Sequence, residues 1–159
     1  MLRADVVATA RAMADEGLVA GSEGNVSARD GDVLHITPAG LPYGEMSPDD
    51  LVTLDLSGRV VAGERDPSSE RAVHLAVYAA RPDVLAIVHT HSPAATGSTT
   101  VAPVSEFAPS GSTELAANVV AALGSGDCVV MARHGVVSVG ATPDEALSIA
   151  RRVEASAAV

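Results

Sequence analysis

Val84-Leu85-Ala86-Ile87-Val88-His89-Thr90-His91 is the stretch around which the rest of the sequence is organised. Its first five residues have the length and β-branched content of a buried strand. Side chains two apart on a strand point to the same face, so His89 and His91 face one way. Two imidazoles at this spacing can bind one divalent cation, although catalytic zinc sites usually have three protein ligands. The alternative is a pair of partly exposed histidines that bind nothing.

Length and composition predict one domain over residues 1–159, with no nucleic-acid or membrane partner. Hydrophobic residues make up 47% of the chain and aromatic residues 2%, so small side chains must build the core. The net charge of −10 repels phosphate backbones and anionic lipid. Cys128 is the only cysteine, which excludes a disulfide framework and favours a reducing cytoplasm. No signal peptide is expected in residues 1–5.

Apolar periodicity and start and stop signals predict the remaining helices and strands. Helices are predicted over 3–16, 66–81, 115–123 and from 142 to the C terminus, and strands over 33–36, 51–56, 60–61, 128–131 and 136–139. The glycine-rich segment 21–27 is predicted to be an irregular loop, and residues 92–111 are predicted to form a short helix or loop and a connecting segment. The first strands are spaced as an antiparallel sheet requires.

Two segments are candidates for binding an anion. In the loop 21–27, glycines let successive backbone N–H groups converge while serine and asparagine side chains add donors. Ser68 and Ser69 lie where a helix is predicted to begin, and helix N-termini attract phosphate. A plain turn and ordinary helix capping are the alternatives for these two segments.

A third histidine completes the candidate metal site. His134 lies at a break between two predicted strands, and with His89 and His91 it supplies the three nitrogens of a catalytic zinc site. Glu70 supplies a carboxylate if its helix begins beside the strand end. His74, one turn after Glu70, is an alternative metal-binding partner for it, but is expected to support packing.

Five motifs in register resemble the class II aldolase/adducin family over residues 3–155. They are Gly21-Ser22-Glu23-Gly24-Asn25-Val26-Ser27, Ile36-Thr37-Pro38-Ala39-Gly40, Pro67-Ser68-Ser69-Glu70 with His74, His89-Thr90-His91, and Arg133-His134-Gly135-Val136. The resemblance implies an α/β/α layered domain around a mainly antiparallel sheet, assembled as a homotetramer. It also implies that His89, His91, His134 and Glu70 bind Zn²⁺ or another divalent transition metal, with Glu70 as the acid/base. By the same resemblance, the phosphate of the substrate is bound by Ser22, Gly24, Asn25, Gly40, Ser68 and Ser69.

Two departures from the family pattern affect the part of the site that handles the aldehyde. The connection from His91 to Ser112 is shorter than in the aldolases, and the relatives continue beyond the position of Val159. Those segments usually contribute tyrosines, and neither Tyr43 nor Tyr78 lies in a matching place.

The resemblance implies a zinc-dependent aldolase that cleaves a small phosphorylated ketose to dihydroxyacetone phosphate and an aldehyde through a zinc-stabilised enediolate. A glutamate at position 70, where the family's epimerases have aspartate, favours an aldolase. Two alternatives stay open. One is a metal-dependent decarboxylase of the same family, and the other is a non-catalytic scaffold like the adducin head.

Overall fold

An eight-stranded sheet forms the centre of the computed structural model, which describes residues 1–159. The strands are β1 Asn25–Asp30, β2 Val33–Ile36, β3 Val52–Asp55, β4 Val60–Ala62, β5 Ala86–Thr90, β6 Val104–Ser105, β7 Cys128–Met131 and β8 Gly135–Gly140. Their order across the sheet is β4-β3-β2-β1-β5-β8-β7-β6. Every neighbouring pair is antiparallel except β6 and β7. The predicted mainly antiparallel sheet is confirmed, and β5 lies near its middle.

Four helices cover the sheet on both faces. They are α1 Leu2–Asp15, α2 Arg71–Ala80, α3 Thr113–Leu123 and α4 Pro143–Ala157. Successive residues of β5 show the layering, because Ile87 packs in the core cluster of α2 and α3 while Val88 packs in that of α1 and α4. The predicted α/β/α layers are therefore confirmed. None of the helices combines the length and the apolar character needed to cross a membrane.

The segment 21–27, predicted to be an irregular loop, ends in a regular strand instead. From Asn25 onward the chain forms β1, which pairs with β2 on one side and with β5 on the other. Val26 and Ala28 are buried in the α1 and α4 cluster. The opposite face of β1 carries Asn25 and Ser27, which are also buried. Because Asn25 and Ser27 are polar but buried, the burial of both faces of this strand cannot be recognised from its apolar residues.

The helix predicted from Asp66 begins at Arg71. The backbone before it is extended, since Ala39 N–H donates to the Asp66 carbonyl at 3.0 Å and Ser68 N–H donates to the Thr37 carbonyl at 3.1 Å. A proline disfavours helical geometry for the residue before it, and Asp66 precedes Pro67. Ser68 therefore lies in an extended segment beside the Thr37 loop, and Ser69 lies in the turn that leads into the helix.

The segment 92–111, predicted as a short helix or loop and a connecting segment, contains no helix but does contain the short strand β6, which pairs in parallel with β7. Two helix starts agree with the sequence. The Ser112 hydroxyl accepts from Leu115 N–H, and the Thr142 hydroxyl accepts from Glu145 N–H.

Candidate metal centre and anion site

Three histidines meet at the adjacent ends of β5 and β8. His89 belongs to β5, His91 follows its end, and His134 immediately precedes β8. Strands β5 and β8 are paired with Thr90 opposite Val136, so the chain reversal before β8 lies beside the end of β5. Glu70 is the residue immediately before α2, and its side chain faces the histidines instead of capping the helix. One ligand atom from each of these four side chains lies within 4.8 Å of the others.

The backbone around residue 134 has the two features that this close approach requires. Arg133 adopts a left-handed φ of 58°, which is uncommon outside glycine, and its guanidinium lies 4.7 Å from the Phe107 ring centroid. Gly135 leaves room for the imidazoles, because a Cβ there would lie 2.9 Å from His89 Cε1 and would clash with the Thr90 carbonyl oxygen. A glycine is therefore required where β8 begins.

The protonation of the histidines fits a cation between them. His89 Nδ1 lies 3.0 Å from the Val136 carbonyl, which can only accept, so Nδ1 carries the proton and Nε2 presents a lone pair. His91 Nδ1 lies 3.2 Å from a carboxylate oxygen of Glu23, which leaves its Nε2 as a lone pair as well. Both Nε2 atoms are buried without a hydrogen-bond partner. Lone pairs so placed suit a divalent metal, whose histidine ligands usually donate their other N–H to an oxygen.

Glu70 supplies the negative charge of the centre. Its Oε1 lies 2.7 Å from His134 Nε2, and its Oε2 lies 2.9 Å from His89 Nε2. Burial alone would raise the pKa of Glu70, but its short contacts with His134 and His89 outweigh that effect and hold the pKa far below its usual range. The carboxylate is therefore ionised at neutral pH, as a metal ligand must be.

A cavity of about 300 Å³ opens beside Glu70, His91 and His134. It is lined by all six residues to which the family resemblance assigns the phosphate: Ser22, Gly24, Asn25, Gly40, Ser68 and Ser69. The structure brings the candidate metal and anion residues together, and their roles remain predictions.

The side chain of Asn25 is directed to Glu70 as well as to the cavity. Its Nδ2 donates to Glu70 Oε2 at 2.9 Å, and its Oδ1 accepts from His74 Nε2. The second ring nitrogen of His74 faces the Ser27 hydroxyl at 2.6 Å. Because both ring nitrogens of His74 are engaged, it does not form the alternative metal pair with Glu70.

Three residues of the site were not predicted from the sequence. Ser110 Oγ donates to Glu70 Oε1 at 3.1 Å, from a segment that carried no periodic signal. Glu23 orients His91, as described above. The Tyr43 hydroxyl donates to the backbone carbonyls of Glu23 and Gly24, at 2.8 and 2.6 Å, and so braces the glycine-rich loop.

Comparison with known proteins agrees with this geometry. Residues 4–159 match the family model described as Class II Aldolase and Adducin N-terminal domain. The chain belongs to this family. The predicted resemblance to the class II aldolase/adducin family is confirmed.

Individual relatives in the class II aldolase family carry aldolase names. A 5-methylthioribulose-1-phosphate/5-deoxyribulose-1-phosphate aldolase of Rhodospirillum rubrum is 34% identical over 172 residues, covering 96% of this chain and 77% of that protein. A 5-deoxy-D-ribulose 1-phosphate aldolase of Bacillus thuringiensis is 46% identical over 93 residues, covering 57% of this chain and 44% of that protein. A solved L-fuculose 1-phosphate aldolase is 31% identical with a TM-score of 0.89, covering 99% of this chain and 83% of that one.

Proposed function

We propose that this chain is a metal-dependent aldolase that cleaves a small ketose 1-phosphate into dihydroxyacetone phosphate and an aldehyde. The observation that carries the proposal is that the Glu70 and histidine cluster borders the same 300 Å³ cavity as Ser22, Ser68 and Ser69. A ketose 1-phosphate has its phosphate on the carbon next to the ketone, so one small molecule can reach a metal and an anion cradle together. Its relatives are named for sugar 1-phosphates of this kind.

We propose zinc as the metal, since imidazole nitrogens and a carboxylate oxygen are ligands that zinc accepts. His89, His91, His134 and Glu70 would hold it. A bound divalent ion supplies Lewis-acid stabilisation of the negative charge that develops at a carbonyl oxygen.

Glu70 is proposed to transfer a proton to or from one carbon of dihydroxyacetone phosphate. This is the carbon that forms the new C–C bond when the reaction runs in the synthetic direction. Its carboxylate is ionised and borders the cavity, so it can act as a base on a bound substrate. Ser110 Oγ donates to the same carboxylate at 3.1 Å.

The phosphate would be bound by neutral donors. The cavity is lined by serine hydroxyls and glycine-rich backbone, with no lysine or arginine among its residues. Gly24 is needed there for close approach, because a Cβ would lie 2.7 Å from Val19 Cγ1 and would clash with the His89 carbonyl oxygen. A decarboxylase needs no phosphate cradle and an adducin-like scaffold needs no metal ligands, so the combination favours the aldolase.

We further propose a cytoplasmic, homotetrameric enzyme. The lone Cys128 is a free, buried thiol, which suits a reducing compartment. Phe107 is 53% exposed and Val104 is 39% exposed, in the segment that leads to Ser110, and such apolar residues suit contact with another subunit. Native mass spectrometry of the zinc-loaded protein tests the assembly, and a monomer would contradict it.

Turnover of sugar phosphates tests the activity. Zinc-loaded protein is incubated with L-fuculose 1-phosphate and with 5-deoxyribulose 1-phosphate, and dihydroxyacetone phosphate is measured by its NADH-dependent reduction. Release should stop after dialysis against a chelator and return with zinc. Ser69→Ala should raise KM, whereas the exposed helix variant Ser156→Ala should match the wild type. Carbon dioxide without dihydroxyacetone phosphate would show a decarboxylase, and a protein with neither metal nor turnover would be a scaffold.

A further inference from the structure

A buried row of polar side chains connects α2 to β1 behind Glu70. The helix contributes Glu70, His74 and Tyr78, which are four residues apart, and the strand contributes Asn25 and Ser27, which are two apart. Four helical residues advance about 6 Å and two strand residues about 6.8 Å. The side chains of the helix therefore remain beside those of the strand along the row. Apart from Glu70, at 7%, none of them is more than 2% exposed.

The carboxylate of Glu70 fixes the direction of the first two hydrogen bonds. An ionised carboxylate only accepts, so the atom of Asn25 that lies 2.9 Å from Glu70 Oε2 is the donating Nδ2. The other amide atom, Oδ1, therefore faces His74 Nε2 and accepts from it. It follows that Nε2 of His74 carries a proton.

The remaining two bonds follow from the neutrality of His74. Burial lowers the pKa of His74 to about 3, so near neutral pH its Nδ1 has no proton and accepts from Ser27 Oγ at 2.6 Å. The hydroxyl of Ser27 has one proton, which this bond uses. Ser27 Oγ must therefore accept from the Tyr78 hydroxyl, 2.7 Å away. All four hydrogen bonds point along the row toward Glu70.

We propose that His74, Ser27 and Tyr78 are positioning residues for the proposed acid/base. They hold the amide of Asn25 with its nitrogen toward the Glu70 carboxylate and prevent its rotation. A rotated amide would set two acceptors against each other at Glu70 and two donors against each other at His74, and buried groups so mispaired lose their hydrogen bonds. This inference rests on the proposed function for the catalytic role of Glu70, but the direction of the row does not.

The tautomer of His74 tests the direction of the row without any activity. Histidine ring nitrogens are recorded by ¹⁵N NMR on the zinc-loaded protein near neutral pH, and His74 is assigned by the signal lost in His74→Gln. We expect a neutral ring with its proton on Nε2. A proton on Nδ1, or on both nitrogens, would overturn the inference.

Variants of the row test its role. Ser27→Ala and Tyr78→Phe each remove one hydroxyl, and Thr53→Val is the matched control, because Thr53 Oγ1 lies 2.9 Å from His35 Nδ1 in a buried pair elsewhere in the sheet. Ser27→Ala should lower kcat by about 10- to 100-fold, as loss of a group that orients a metal ligand does. KM should stay within about twofold, because the interaction lost is one used in the reaction step. Tyr78→Phe should have a smaller effect in the same direction.

The outcome of this comparison is decisive even if the proposed substrates are wrong. If Ser27→Ala and Tyr78→Phe melt at lower temperature as Thr53→Val does, yet keep wild-type kcat, the row is structural and the inference fails. If the wild type cleaves neither sugar phosphate, the proposed function fails, and zinc affinity replaces kcat as the measurement. The row then predicts a loss of about 10- to 100-fold in zinc affinity for Ser27→Ala. Unchanged affinity would refute it.

Discussion

Substitution of Gly135 by alanine should weaken zinc binding without removing any ligand. The new Cβ would lie 2.9 Å from His89 Cε1 and 3.1 Å from His91 Cδ2, and would clash with the Thr90 carbonyl oxygen. Carbon atoms in contact prefer a separation of about 3.5–4 Å, and overpacking of this kind costs about 1–3 kcal/mol. The metal-free protein can relieve part of the strain by turning the rings, whereas the zinc-bound protein cannot. A difference of about 1.4 kcal/mol between the two states would raise the zinc Kd about tenfold.

Competition between the protein and a fluorescent zinc chelator measures this Kd. Gly44→Ala is the control, because a Cβ at Gly44 would meet nothing within 4 Å and the residue has no left-handed φ. The melting temperature of each metal-free variant separates general destabilisation from a specific effect on zinc. If Gly135→Ala folds and binds zinc with the wild-type Kd, the imidazoles that it displaces do not form the metal centre.

Three further predictions concern single residues. Glu70→Gln should retain zinc in elemental analysis but lose about 10²- to 10⁴-fold in kcat, as for other general acid–base groups, and unchanged turnover would remove Glu70 from its proposed role. Because burial lowers the pKa of His74 from 6.5 to about 3, the unfolded chain takes up a proton in that pH window that the folded protein does not. The free energy of unfolding should therefore fall as the pH falls from 6.5 toward 3, more steeply in the wild type than in His74→Gln, as urea titrations at several pH values can show. Burial raises the pKa of Cys128 to about 12, so a thiol reagent should modify the native protein far more slowly than the urea-unfolded protein.

The sheet and its layers could be predicted because most strands carry apolar residues and two of the four helices carry clear start signals. Residues 84–88 and 128–131 read as buried strands, and Ser112 and Thr142 mark helix starts that the structure retains. Strand β1 was not predicted, since Asn25 and Ser27 are polar residues on a buried face. Their burial is tolerated only because α2 supplies hydrogen-bond partners, which are distant in sequence.

The candidate site was predictable to the extent that its residues lie in short motifs. His89 and His91 lie two residues apart at the end of one strand, and Glu70 lies next to the serines that line the cavity with it. Ser110 has no such signal, because its approach to Glu70 depends on the path of the irregular segment that follows β6. The row of hydrogen bonds from Tyr78 to Glu70 could not be predicted either, because its members alternate between a helix and a strand that are distant in sequence.

Anomalous X-ray diffraction at the zinc absorption edge, on crystals grown from zinc-loaded protein, tests the central claim most directly. We expect one strong peak per chain, from a zinc ion bound by the Nε2 atoms of His89, His91 and His134 and by the carboxylate of Glu70. A His134 ring turned away from the other two, with no peak among the four side chains, would contradict the metal centre and the catalytic proposal with it.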